Sequence, residues 1–182
     1  MDAIKAYWKQ VLLAGAYLLG VMGTLLVSPD LFEDTGELSK MSRFVVIGIL
    51  SLFWVPMLMF KSPRHMWRWW VMSAFCLVAA AASYAVAFYQ LDMHSVPYTN
   101  SRTVTGDKLL PEMEKAIKEK YGFIPPIRIL VEDGGGATDA LFPVQELKHY
   151  RYIIILWYLA TTLFTSLFIL SSAQAFVSKH GK

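Results

Sequence analysis

Residues 69–91, WWVMSAFCLVAAAASYAVAFYQL, run without a single Asp, Glu, Lys, Arg or His. At about 1.5 Å of rise per residue, a helix of this length covers a hydrocarbon core about 30 Å thick. Alanine fills its middle, while Trp67, Trp69 and Trp70 gather at one end and Tyr89 at the other. Such amphipathic rings favour the headgroup level of a bilayer. The stretch reads as a membrane span, and the rest of the chain sorts outward from it.

Two more uncharged runs precede it, VLLAGAYLLGVMGTLLVS at 11–28 and FVVIGILSLFWVPMLMF at 44–60, and a fourth runs from Tyr152 to Ser178. The first exceeds the roughly 7–15 apolar residues of a signal peptide, and no small-residue cleavage pattern follows, so it reads as a retained helix. Four runs apolar on every face leave too little polar surface to cover them in one small soluble domain. The expected fold is an all-α integral membrane protein of four transmembrane helices. Three lie within 1–91 and the fourth within 152–182, with a small α+β extracytoplasmic lobe, 92–151, between the third and fourth.

The whole-chain numbers agree. Of 182 residues 55% are hydrophobic, the mean hydropathy is +0.42, and 17 Lys and Arg against 14 Asp and Glu leave a net charge of +3. That excess is too small for a surface that neutralises many phosphates, so direct nucleic-acid binding is not expected. Cys76 is the one cysteine, which excludes an intramolecular disulfide and a multi-thiolate zinc site.

Charge sets the orientation. Lys5, Lys9, Lys61, Arg64, Arg68, Lys179 and Lys182 fall on one side of a four-span layout, while the 29–43 loop holds only Lys40 and Arg43 beside Asp30, Glu33, Asp34 and Glu37. By the positive-inside rule both termini and the 61–68 turn are cytoplasmic, in an inner membrane, and the lobe lies outside. Tyr7, Trp8, Tyr150 and Tyr152 also stand at span ends.

Helices in lipid associate by close packing of small residues, because lipid tails are as apolar as leucine. Ala16, Gly20 and Thr24 in the first span, and Ala79, Ser83 and Ala87 in the third, recur every four residues and form smooth stripes on one helix face. They are the candidate helix-packing positions, within one subunit or between copies in a homo-oligomer. Pro56 predicts a bend in the second span. In the fourth, Thr161, Thr162, Thr165 and Ser166 offer hydroxyls to a neighbour or to their own carbonyls. No Asp, Glu, Lys, Arg or His lies inside any span, which weighs against a pump or coupled transporter.

In the lobe, PEMEKAIKEKYG at 111–122 predicts a helix: Pro111 opens it, Met113, Ile117 and Tyr121 share a face, Glu114 precedes Lys118 by four, and Gly122 stops it. IPPIRILVED at 124–133 predicts a short extended run with Ile127, Ile129 and Val131 on one side, and Gly134 to Gly136 a flexible turn. With no GK[ST] after it, the glycine run is not a phosphate cradle. His94 and His149, with Asp92 and Glu146 nearby, lack paired helical ligand spacing and read as interfacial hydrogen-bonding groups rather than a metal site. No Ser or Cys has a His and a carboxylate at a recognisable spacing, so no catalytic residue, cofactor or enzymatic activity is expected. The short basic turn carrying Lys61, Arg64, His65 and Arg68 is the candidate contact for anionic lipid or a cytoplasmic protein partner.

This order of spans and loop sizes resembles the membrane subunit of the Kiwa antiphage system of bacteria. The resemblance is architectural and carries no family residue onto this chain. It implies a homo-oligomeric inner-membrane sensor and scaffold that recruits a cytoplasmic, DNA-interacting effector upon infection. The layout is also similar to immunity proteins against pore-forming bacteriocins, and a pore-forming effector is the third expectation.

Overall fold

The computed structural model describes Gly48, Ile49 and residues 65–99 and 101–179. The first span, nearly all of the second, and Ala16, Gly20, Thr24, Pro56, Lys61 and Arg64 lie outside the described residues. Among the described residues from 66 on, four helices and one hairpin follow in chain order: α1 (Met66–Met93), β1 (Ser95–Tyr98), β2 (Ser101–Val104), α2 (Pro111–Tyr121), α3 (Ile127–Asp133), a 3-10 turn (Thr138–Ala140) and α4 (Val144–Lys179). Both α1 and α4 are long and apolar enough to cross a membrane. The described residues are mostly helical, with a small two-stranded sheet. It divides into two units, one holding 66–84 and 158–179, the other Ala85–Trp157.

In α1 the buried residues are Trp69, Ser73, Cys76, Ala80, Ser83, Ala87 and Leu91, while Trp67, Val71, Phe75, Leu77, Val78, Tyr84 and Phe88 are exposed. Their alternating three- and four-residue spacing draws a single narrow seam along the helix. The seam is built mainly of small side chains, and the exposed face carries the large apolar ones. Ala79 is half-buried, whereas Ser83 and Ala87 are fully inside, so the expected small-residue stripe lies at the edge of the buried seam and on it.

In the first unit, Trp69 and Cys76 of α1 share a core cluster with Leu167, Leu170, Ala175 and Val177 of α4. Ser73 Oγ meets Ser172 Oγ at 2.7 Å, and the Trp70 ring contacts Phe176 edge-on at 5.4 Å. Three hydroxyls of α4 serve their own helix. Thr162 donates to the Tyr158 carbonyl at 2.9 Å, Thr165 to that of Thr161 at 2.8 Å, and Ser171 to that of Leu167. Back-bonding of this kind satisfies a hydroxyl without water.

The second unit is the lobe. β1 and β2 pair antiparallel with Ser95 opposite Val104 and Tyr98 opposite Ser101, and Thr99 at the turn takes a φ of 49°. α2 follows its sequence expectation: Pro111 starts it, Ile117 is buried, Lys118 Nζ sits 2.6 Å from Glu114 Oε1, and Gly122 ends it at a φ of 73°. Acids in its first turn and lysines in its last complement the helix dipole.

The extended run expected at 124–133 is instead a helix, α3. Pro126 takes the N-cap position and leaves Ile127 to begin the first turn. Arg128 Nε bonds Glu132 Oε1 at 2.9 Å, one turn on, and the adjacent Leu130 and Val131 are both buried, which a strand with one buried face does not produce. The glycines that follow form a built turn. Gly136 N–H reaches the Val131 carbonyl at 2.9 Å and Gly135 N–H that of Glu132 at 3.2 Å, with Gly135 at a φ of 62°. That is a Schellman cap, which requires a left-handed residue at the position Gly135 holds. The strands lie earlier, in SVPYTNSRTV, where no strand was expected.

Candidate functional site

A polar cluster in the lobe assembles from three places: the joint between α1 and β1, the loop after β2, and the first turns of α4. Tyr150 is its centre. Its ring stacks on the His94 imidazole with centroids 3.7 Å apart and planes 10° from parallel, and its hydroxyl donates to Asp107 Oδ2 at 2.5 Å. His94 Nδ1 stands 3.5 Å from Asp107 Oδ1; it is buried and makes no hydrogen bond. The Asp107 backbone N–H donates to Glu146 Oε1 at 2.9 Å.

Glycine permits this approach. A β-carbon on Gly106 would fall 2.9 Å from Phe142 Cδ1 and 3.0 Å from Glu146 Oε2, so a larger residue would push the loop off α4. Asp107 holds the Tyr150 proton in place. Together with lost hydration and the negative charges of Asp107 and Glu146, it pushes the phenol up to about 12. A phenol held neutral in this way is a structural tie, not a nucleophile.

Beside it, Arg102 closes the base of the hairpin. Its Nε donates to Ser95 Oγ at 2.9 Å and its Nη2 to the Ser95 carbonyl at 3.2 Å, while Nη2 stands 3.9 Å from Asp92 Oδ1. Ser95 Oγ in turn donates to the Leu91 carbonyl, which binds the hairpin to the last turn of α1.

Of the four residues weighed together in the sequence, the structure brings His94 and Glu146 to the same loop and sends Asp92 to Arg102. His149 tilts against Tyr150 at 5.7 Å. Among the described residues no group of three or more His, Cys, Asp or Glu side chains is placed to share a metal ion. Sequence reasoning missed Asp107 altogether and took Tyr150 for an interfacial ring only. Nothing in the chain flags a contact across 43 positions.

A second feature is a groove of about 190 Å³ between α2 and α3, lined by Met113, Ile117, Leu130 and Leu141 and rimmed by Lys120, Tyr121 and Asp133. Tyr121 donates its hydroxyl to Asp133, and Lys120 Nζ lies 3.6 Å from the same carboxylate and 4.6 Å from the Tyr121 ring centre. The Tyr121 hydrogen bond, aided by Lys120, holds the Asp133 carboxyl below the usual carboxylate range. Of the basic turn, His65 is half-buried just before α1 and Arg68 is exposed on its first turn. Comparison with known protein families, with characterised proteins and with solved structures finds no match.

Proposed function

We propose that this chain is a non-enzymatic sensor and scaffold of the bacterial inner membrane, homo-oligomeric, with four spans, cytoplasmic termini and an outer lobe over 92–151. Its cytoplasmic turn, Lys61, Arg64, His65 and Arg68, recruits a soluble effector protein, in keeping with a role in antiphage defence. The observation that carries this reading is the inverted amphipathy of α1: small residues inside and Phe75, Val78, Tyr84 and Phe88 outside. Such a face is costly in water and natural in lipid. The hydroxyls of α4 that bond back to their own carbonyls favour helix packing over a wet pore.

The test is affinity purification of the full chain from bacterial membranes, with and without Arg64→Glu and Arg68→Glu together. A cytoplasmic protein retained by the native chain and lost by the variant is the expected result. An ion current from the purified protein alone in liposomes would replace this reading with a pore-forming effector. Protection against an added bacteriocin without any partner would replace it with an immunity protein.

A further inference from the structure

We propose that the cluster of His94, Asp107 and Tyr150 is an acid-tightened clasp, in which a second proton on His94 locks the loop after β2 onto the end of α1 and the start of α4. The inference rests on the lobe alone and stands apart from the scaffold reading.

The geometry is poised for it. Asp107 spends Oδ2 on the Tyr150 hydroxyl and turns Oδ1 toward His94 Nδ1, 3.5 Å away, where no hydrogen bond is made. A cationic imidazole there gains twice. Its Nδ1–H has a carboxylate oxygen within a small side-chain rotation, and its plane already lies face to face with the Tyr150 ring at 3.7 Å, an arrangement that attracts cations. The two oxygens of Asp107 would then hold one donor each, and the loop would be bound from both sides. The charged and titratable groups around His94 are Asp107 from the loop, Glu146, His149 and Tyr150 from α4, and the Asp92–Arg102 pair at the hairpin base. His149 is a second imidazole beside Tyr150, so the test must separate the two histidines.

A reporter is built in. The Thr105 N–H donates to the His94 carbonyl at 2.9 Å, and Thr105 is buried, so its amide reports on how tightly the loop after β2 is held to His94. Hydrogen exchange of the full chain in a membrane mimetic, corrected for intrinsic exchange rates, is measured at about pH 7.5 and about pH 5.5. The Thr105 protection factor is expected to rise about three- to tenfold at the lower pH. His94→Phe keeps the ring stack without the titration and should abolish the rise, while His149→Gln should preserve it. A pH-independent protection factor in the native chain, or an undiminished rise in His94→Phe, overturns the proposal. Should His94→Phe not fold, Asp107→Asn replaces it, and a full rise in that variant overturns the proposal equally.

Discussion

The Tyr98 ring packs close against Gly136: a β-carbon at that glycine would stand 2.5 Å from Tyr98 Cε1 and 2.9 Å from Cδ1. Gly136 also has a φ of 87°, which side-chain-bearing residues rarely adopt. Contact and conformation together lock the turn after α3 against the hairpin.

Replacing Gly136 with Ala should therefore destabilise the lobe by about 2–3 kcal/mol. Gly122→Ala, at a φ of 73° but with open space around it, should cost only about 1 kcal/mol. Hydrogen exchange at the amides of α3 distinguishes them. Adding Tyr98→Ala to Gly136→Ala should recover part of the larger loss, and equal costs at the two glycines would show that the ring contact is without consequence.

Tyr150 should ionise late. Its phenol is raised to about 12 because its hydroxyl donates a hydrogen bond to the Asp107 carboxylate, so the folded state favours the neutral form. A group raised on folding contributes stability that is complete below its unfolded value of about 10 and fades as pH climbs through the folded one. Absorbance titration of tyrosinate, native against Asp107→Asn, should show one phenol moving to lower pH in the variant.

The Tyr121–Asp133 contact has the opposite sign. Asp133 is held below the usual carboxylate value, so its contribution is complete above about pH 4 and is lost as pH falls through the lowered value. Carboxyl-carbon NMR of the native chain and of Tyr121→Phe should show the Asp133 midpoint rising in the variant, and an unchanged midpoint would leave Lys120 as the sole cause.

Along α1, Ser73→Ala removes the 2.7 Å bond to Ser172, and about 0.6 kcal/mol of stability should go with it. Ala87→Leu, at a position with no exposure, should cost more, about 1–3 kcal/mol, because the seam has no room for the added carbons. Denaturation in mixed micelles ranks the two.

The apolar bodies of the two long helices were legible in the sequence because a charge-free run of such length has few readings, whereas the charged first turns of α4, Val144 to Arg151, read as part of the lobe; α2 was legible because Pro111, the Glu114–Lys118 pair and Gly122 all agree. α3 was not. Ile127, Ile129 and Val131 alternate as a strand would, yet Pro126 and the Arg128–Glu132 pair outweigh that pattern over seven residues, and the cap at Gly135 completes the turn. The hairpin escaped notice because Pro97 and Ser101 are weak strand formers, and its stability comes from Arg102 reaching back to Ser95 rather than from propensity. The clasp was half legible. His94 and Glu146 stood out as polar residues near a span, but Asp107 reaches Tyr150 only through the close passage that Gly106 allows, and such tertiary contacts leave no local trace.

His94 is the single residue between the last turn of α1 and the first of β1, and both of its backbone groups are committed. Its N–H goes back to Gln90 at 3.0 Å, and its carbonyl goes forward to Thr105 at 2.9 Å. A connector that short has no slack to absorb torsion, so any force that twists the hairpin is handed directly to the helix end. Inserting a few flexible residues there would cut the mechanical linkage while leaving each element free to form.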